Sequence, residues 1–315
     1  MQSHASTLVV LGTGGTIAGA ARRPQDHVGY AAAALSAADL VAAVPALQGW
    51  PIETETVARL DSCDMDPATW RALARRAAHH LARTEVAGVV VTHGTDTLEE
   101  TAYFLHRTLQ ADKPLVLTAA MRPATAPSAD GPQNLLDALR LAQAPGARGV
   151  LAVLGGTVYA GIDLRKVHGY RVDAFSAGDA GPLAILEDGA LRRFRDWPVC
   201  ADLANVALRV DPARWPAVDL VISHAGVRAA TLDALVAAGA QGIVIAGTGN
   251  GSVHASVLAA ARRAREGGVP VVRASRCQQG GVVGAPADAL PSAGVLTPVQ
   301  ARIELMLDLL AARAV

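Results

Sequence analysis

Cysteine is scarce in this sequence, neither sign of charge dominates, and no long apolar run occurs. Three cysteines, Cys63, Cys200 and Cys277, are scattered through 315 residues. An odd number at such spacing fits neither a disulfide framework nor a zinc site, so a reduced compartment is expected. Lys+Arg and Asp+Glu both number 28, which gives no pull towards nucleic acid or an anionic membrane surface. No uninterrupted apolar stretch reaches the roughly 18 residues of a membrane span. The opening MQSHASTLVVLGTGG has no basic n-region and no cleavage site after a hydrophobic core, so no secretory leader is expected. A cytoplasmic enzyme is the reading these absences leave.

What is present supports large cores: 51% of residues are hydrophobic and 18% charged, far from the composition of disorder. The length exceeds what one core usually serves, so two domains are expected. The stretch Gly88 to Leu105, GVVVTHGTDTLEETAYFL, organises the rest. It starts as a β-branched strand and ends with Leu98, Ala102 and Leu105 at helical spacing. Between them lie His93, Gly94, Thr95, Asp96 and Thr97. In an open α/β sheet this is where ligands bind, and the free N–H groups of the next helix can face a polarised oxygen. Thr95 or Asp96 as a plain helix N-cap fits the same residues.

The same rhythm opens the chain. Leu8-Val9-Val10-Leu11 reads as a buried strand running into Gly12-Thr13-Gly14-Gly15-Thr16-Ile17-Ala18-Gly19. A dinucleotide loop fails there, because Ile17 holds the third glycine position and Asp39 falls in a helix capped by Ser36. A P-loop fails for want of Gly-Lys-Ser/Thr. A glycine-lined hydroxyl at a strand end, Thr16, remains. Arg22 to Tyr30 reads as a polar loop in which Tyr30 alone would be surface packing. Glu53 to Leu60 leads to the loop Asp61-Ser62-Cys63-Asp64-Met65, and Asp66-Pro67 starts a helix. His79 and His80, adjacent on that helix, point apart and read as surface or packing residues, with no metal site.

Leu115 to Thr118 and Gly149 to Leu154 continue the strands, with a helix entered at Asp130-Gly131-Pro132. The pattern predicts an α/β fold: a larger N-terminal domain with a mainly parallel sheet flanked by helices, and a smaller C-terminal α/β domain. Prolines and scattered charge from Leu191 to Ala217 read as a linker. The domains are set at 1–193 and 218–315, with 194–217 between them. In the second domain Asp219–Ser223, Gly242–Ala246 and Val269–Arg273 read as strands. Thr231–Ala238, Val253–Glu266 and a helix capped by Thr297-Pro298 alternate with them.

Taken together, TGGTIAG at 13–19, THGTDT at 92–97 and AMRPATAPSADGP at 120–132 resemble the bacterial L-asparaginases with a threonine nucleophile. DLRKVHGYRVDAF at 163–175 and GTGNG at 247–251 extend the resemblance over nearly the whole chain. It implies hydrolysis of the L-asparagine side-chain amide through a threonyl acyl-enzyme, without cofactor or metal. Thr16 matches the nucleophile and Tyr30 the loop tyrosine assisting it, while Thr95, Asp96 and Lys166 match a second trio. Gly15, Ser62, Cys63, Thr95, Asp96, Ala120 and Asn250 match the substrate contacts. Ser62 is similar to the residue on the α-carboxylate, Asp96 to that on the α-ammonium, and Asn250 to one reaching a neighbour's site. The implied assembly is a homotetramer of intimate dimers, with no nucleic-acid or membrane partner. Two positions depart. Cys63 stands where secreted members carry glutamine, and 281–295, comparable to the segment bearing the neighbour's glutamate, has only Asp288 as a carboxylate. A glutaminase-asparaginase of relaxed selectivity and a non-catalytic amino-acid-binding homologue are the alternatives. Cys63 itself is expected to be a buried, unreactive thiol.

Overall fold

A computed structural model of the chain describes residues 6–23, 25–26, 29–200, 205–284 and 289–313. The chain forms two compact units, Met1–Leu208 and Arg209–Val315. The stretch expected as a linker contains that division and a short helix, α5 (Asn205–Arg209).

In the first unit, β1 (Thr7–Gly14) leads through α1 (Ala37–Ala42) to β2 (Ile52–Leu60). There follow α2 (Pro67–Leu81), β3 (Val86–Thr92), α3 (Leu98–Thr108), β4 (Pro114–Thr118), α4 (Gly131–Ala142) and β5 (Gly149–Leu154). These strands pair parallel in the spatial order β5-β4-β3-β1-β2. Val9, Val10 and Leu11 of β1 lie beside Val89, Val90 and Val91 of β3. All six are buried, because helices cover both faces and the strands therefore read as continuous apolar runs. Leu40 of α1 and Leu135 and Leu139 of α4 join Leu8, Val10, Val90 and Val116 in one core cluster. Helices α2 and α3 pack together, with Trp70 stacked on Phe104 at 5.1 Å. β2 forms the sheet edge and carries Glu53 and Glu55, paired with Arg83 and Arg76, and such charge protects an edge from pairing.

The chain then stops making crossovers. Gly155 and Gly156 both take positive φ, 55° and 73°, the conformation of a two-residue type I′ turn. That turn sends β6 (Thr157–Ala160) back antiparallel to β5. A small hairpin of β7 (Arg165–Lys166) and β8 (Phe175–Ser176) follows. Then β9 (Ala184–Glu187) and β10 (Ala190–Arg193) turn through Asp188 and Gly189, both also at positive φ. Among the described residues the sheet thus has eight strands, ordered β10-β9-β6-β5-β4-β3-β1-β2. The linker reading therefore began too early: Leu191 to Arg193 belong to β10, paired with Ala184 to Leu186. The Asp-Gly turn, a strong hairpin signal, is the reason.

The second unit repeats the crossover rhythm with β11 (Val218–Ile222), α6 (Ala230–Ala237), β12 (Gly242–Gly247), α7 (Ala255–Glu266), β13 (Val271–Ser275) and α8 (Pro298–Ala312). Its strands are parallel in sequence order. Leu232, Ile243, Ile245, Val257 and Val271 share a core. Helix α8 begins with a capping box in which Thr297 and Gln300 each bond the other's backbone N–H.

Candidate active site

The strand order decides where a site can form. From β1 the chain crosses to β2 on one side, and from β2 it returns to β3 on the other. A crevice opens at such a switch point, beyond the carboxyl ends of the two strands that flank it. Thr16 follows β1 and Thr95 follows β3, so the two threonine loops sit on either side of the switch.

Glycines let these loops touch through their backbones. Gly15 has φ 77°, and a Cβ added there would lie 2.2 Å from the Gly94 Cα. A Cβ on Gly94 would meet Ser62 Oγ at 2.4 Å. Only residues without side chains allow this stacking of three strand-end loops. Ser62 is buried; its Oγ accepts from the Asp96 N–H at 3.1 Å and its carbonyl accepts from Thr97 Oγ1 at 2.7 Å. Gly131 brings a further loop in, since a Cβ there would lie 3.0 Å from Ile17 Cγ1 and 3.4 Å from Ala120 Cβ.

Thr16, 6% exposed, places its Oγ1 2.5 Å from Tyr30 Oη. An antiparallel bridge between Ala20 and Ala31 closes the base of the Tyr30 loop. The ring lies over Gly19, where any Cβ would come within 2.7 Å of it. Burial lifts the Tyr30 pKa above its ordinary value, opposed by the Thr16 bond and reinforced by Asp61, Asp96 and Cys63. The phenol therefore keeps its proton near neutral pH. Across the cleft Lys166 Nζ donates to Thr95 Oγ1 at 3.0 Å and to Asp96 Oδ1 at 2.6 Å. Pairing of β7 with β8, and a bond from the Lys166 N–H to Glu99 Oε2 at 3.3 Å, set the lysine backbone. Burial raises the Glu99 carboxyl to about 7.

Thr16, Tyr30, Thr95, Asp96 and Lys166 line one cleft of about 400 Å³. Asp61, Met121, Gly169 and Tyr170 line it too, although sequence reasoning passed over them. Asp61 stands directly after β2 beside Ser62, and Tyr170 follows Lys166 in its hairpin, so strand ends and proximity were the signals. The N-cap reading of Thr95 and Asp96 does not hold: Thr97 takes the cap position of α3, without a side-chain cap bond. Cys63 is exposed, not buried, because it sits in a short turn after β2 whose inward position Ser62 occupies. Loss of solvent around the sulfur and the carboxylates of Asp61, Asp64 and Asp96 hold its thiol above the ordinary pKa. Asn250, in the second unit, exchanges two 2.7 Å bonds with the backbone of Val283. Asp288 lies outside the described residues. Among those residues no group of His, Cys, Asp and Glu is arranged to hold a metal ion, and no helix is long and apolar enough to cross a membrane.

A hydroxyl-lined cleft at the switch point of a doubly wound sheet is the framework of an α/β enzyme, and similarity to known proteins makes its class the amidohydrolases. The descriptions "Asparaginase, N-terminal" and "Glutaminase/Asparaginase C-terminal domain" match residues 7–198 and 217–313. L-asparaginase 2 of Escherichia coli (strain K12) is 37% identical over 311 residues, 96% of this chain and 88% of that protein. Glutaminase-asparaginase of Pseudomonas fluorescens biotype A is 36% identical over 282 residues, 88% and 77% of the two chains. A crystal structure of a probable cytoplasmic L-asparaginase from Campylobacter jejuni superposes with a TM-score of 0.91 at 37% identity, covering 96% of this chain and 95% of the other. The chain belongs to the asparaginase family.

Proposed function

We propose that the chain hydrolyses the side-chain amide of L-asparagine to L-aspartate and ammonia, with Thr16 as nucleophile. One observation carries this reading: Thr16 and Thr95, distant in sequence, face one small cleft, the first bonded to a phenol and the second to an ammonium. Amide hydrolysis needs a nucleophile, a partner for its proton and a donor for the leaving nitrogen. Thr16 Oγ1 attacks the amide carbon while Tyr30 takes part in moving its proton. Thr95 accepts a bond from Lys166, so its own hydroxyl hydrogen passes to the departing nitrogen while Lys166 Nζ returns one to Thr95. The proton given up by Thr16, relayed through the Tyr30 hydroxyl, restores the lysine ammonium. The C–N bond breaks, ammonia leaves, and water hydrolyses the aspartyl ester. Ser62 offers a hydroxyl hydrogen to the α-carboxylate, Asp96 a carboxylate to the α-ammonium, and Gly15 and Ala120 the backbone around the amide.

A second reading, hydrolysis of glutamine as well, draws on the similarity to a glutaminase-asparaginase. One methylene discriminates by only about 1–3 kcal/mol in a pocket. Cytoplasmic location accords with the structural relative so described. A homotetramer of intimate dimers, in which Asn250 approaches a neighbour's cleft, follows from the family resemblance at GTGNG. Ammonia release from L-asparagine, D-asparagine and L-glutamine by the purified protein tests the activity. The L-asparagine reaction is expected to dominate and to vanish in Thr16→Ala; full turnover by that variant would overturn the assignment of the nucleophile.

A further inference from the structure

We infer that His93 is a positioning residue: a neutral imidazole with its proton on Nδ1, it fixes the Gly94 carbonyl and so holds Thr95 against the Thr16 loop. The inference rests on the asparaginase reading above for its effect on turnover, but not for its geometry. His93 is fully buried, 0% exposed, between the end of β3 and Thr95. Its Nδ1 lies 2.7 Å from the Gly94 carbonyl oxygen. A carbonyl only accepts, so Nδ1 carries hydrogen. Its Nε2 lies 2.9 Å from Thr101 Oγ1. That same oxygen receives the Trp70 indole N–H at 2.9 Å, and an indole only donates. The Thr101 hydroxyl hydrogen is therefore directed to Nε2, which must be the accepting nitrogen.

Donation thus runs in one direction, from Trp70 on α2, through Thr101 on α3 and His93, to the carbonyl of the Gly94 peptide. Both ends are anchored. Trp70 is stacked on Phe104, and the His93 N–H donates to the Thr118 carbonyl at 2.9 Å. Gly94 is the residue whose Cα packs on Gly15 and whose missing Cβ makes room for Ser62. Rotation of its peptide would move Thr95 and loosen the stack that aligns it with Thr16. A protonated imidazole would present a second donor to Thr101 and break the sequence. Burial keeps the ring from charging, with its pKa lowered to about 4.

The test begins with the wild-type chain carrying ¹⁵N-labelled histidine. The buried ring is expected to show a protonated Nδ1 and a bare Nε2 at neutral pH. The opposite tautomer, or an imidazolium, would overturn the inference whatever the activity. The second arm compares Thr101→Val with Thr101→Ser by ammonia release per folded molecule. The valine variant should lose on the order of a hundredfold in kcat, with KM for L-asparagine within about threefold, since small misplacement of reacting groups acts on that scale. The serine variant, which keeps the hydroxyl, should restore most of the rate. A valine variant that is less stable yet turns over normally would show a merely structural bond and refute the positioning role. If wild-type protein releases no ammonia from asparagine, the functional reading falls, while the tautomer is still decided by the nitrogen spectrum alone.

Discussion

Two titratable side chains next to the threonine loops pull stability in opposite directions with pH. His93 has a folded pKa near 4 against an ordinary 6.5. Its contribution is present above pH 6.5 and lost as pH falls through 4, a change of about 3 kcal/mol. Glu99 is raised to about 7 from 4.5, chiefly by burial, with the Lys166 N–H opposing. Its contribution is present below pH 4.5 and lost as pH rises through 7. Between 4.5 and 6.5 the two slopes oppose, so the pair adds little net slope. Glu99→Gln removes one of them. Denaturant unfolding at a series of pH values should show the variant gaining on the parent from pH 4.5 to above 7. A difference that stays constant across that range would contradict the desolvation of the half-buried Glu99 carboxyl.

At the scale of elements, the three stacked loops matter more than any one helix. A methyl on Gly94 would fall 2.4 Å from Ser62 Oγ and 2.7 Å from Ser62 Cβ. Gly94→Ala should therefore cost about 1–3 kcal/mol of stability, as overpacking does. Ser62→Gly in the same chain should recover part of it, and calorimetry of the single and double variants reads the coupling. The elements themselves were legible wherever their signals are local. Ser36, Asp66 and Thr297 mark helix starts because capping involves residues a few positions apart. The Gly155-Gly156 and Asp188-Gly189 turns carried equally local signals, but the expectation of continued crossovers obscured them. Contacts between distant segments were not legible from spacing. Nothing within DLRKVHG states that Lys166 reaches Thr95; only the resemblance suggested it. The exposure of Cys63 likewise depends on Ser62 taking the inward position, which tertiary packing decides.

For the whole molecule, each unit has its own core and its own sheet, mainly parallel in the first and wholly parallel in the second, and the proposed tetramer would join copies through shared clefts. Light scattering should then give a mass four times the 32.3 kDa chain. Specific activity should fall on dilution once the copies separate; a fully active monomer would argue that each cleft is complete alone. The double engagement of Lys166 has a practical side as well. The chain's basic side chains include just two lysines, Lys113 and Lys166. The first spends its ammonium on the Arg83 carbonyl, and the second stands in the cleft between Thr95 and Asp96. A dye or polymer activated for amines thus finds few side-chain handles, one of them at the reactive centre. Attachment meant to spare turnover belongs on sulfur at Cys277, exposed on the second unit, once Cys63, also exposed and next to Ser62, has been replaced.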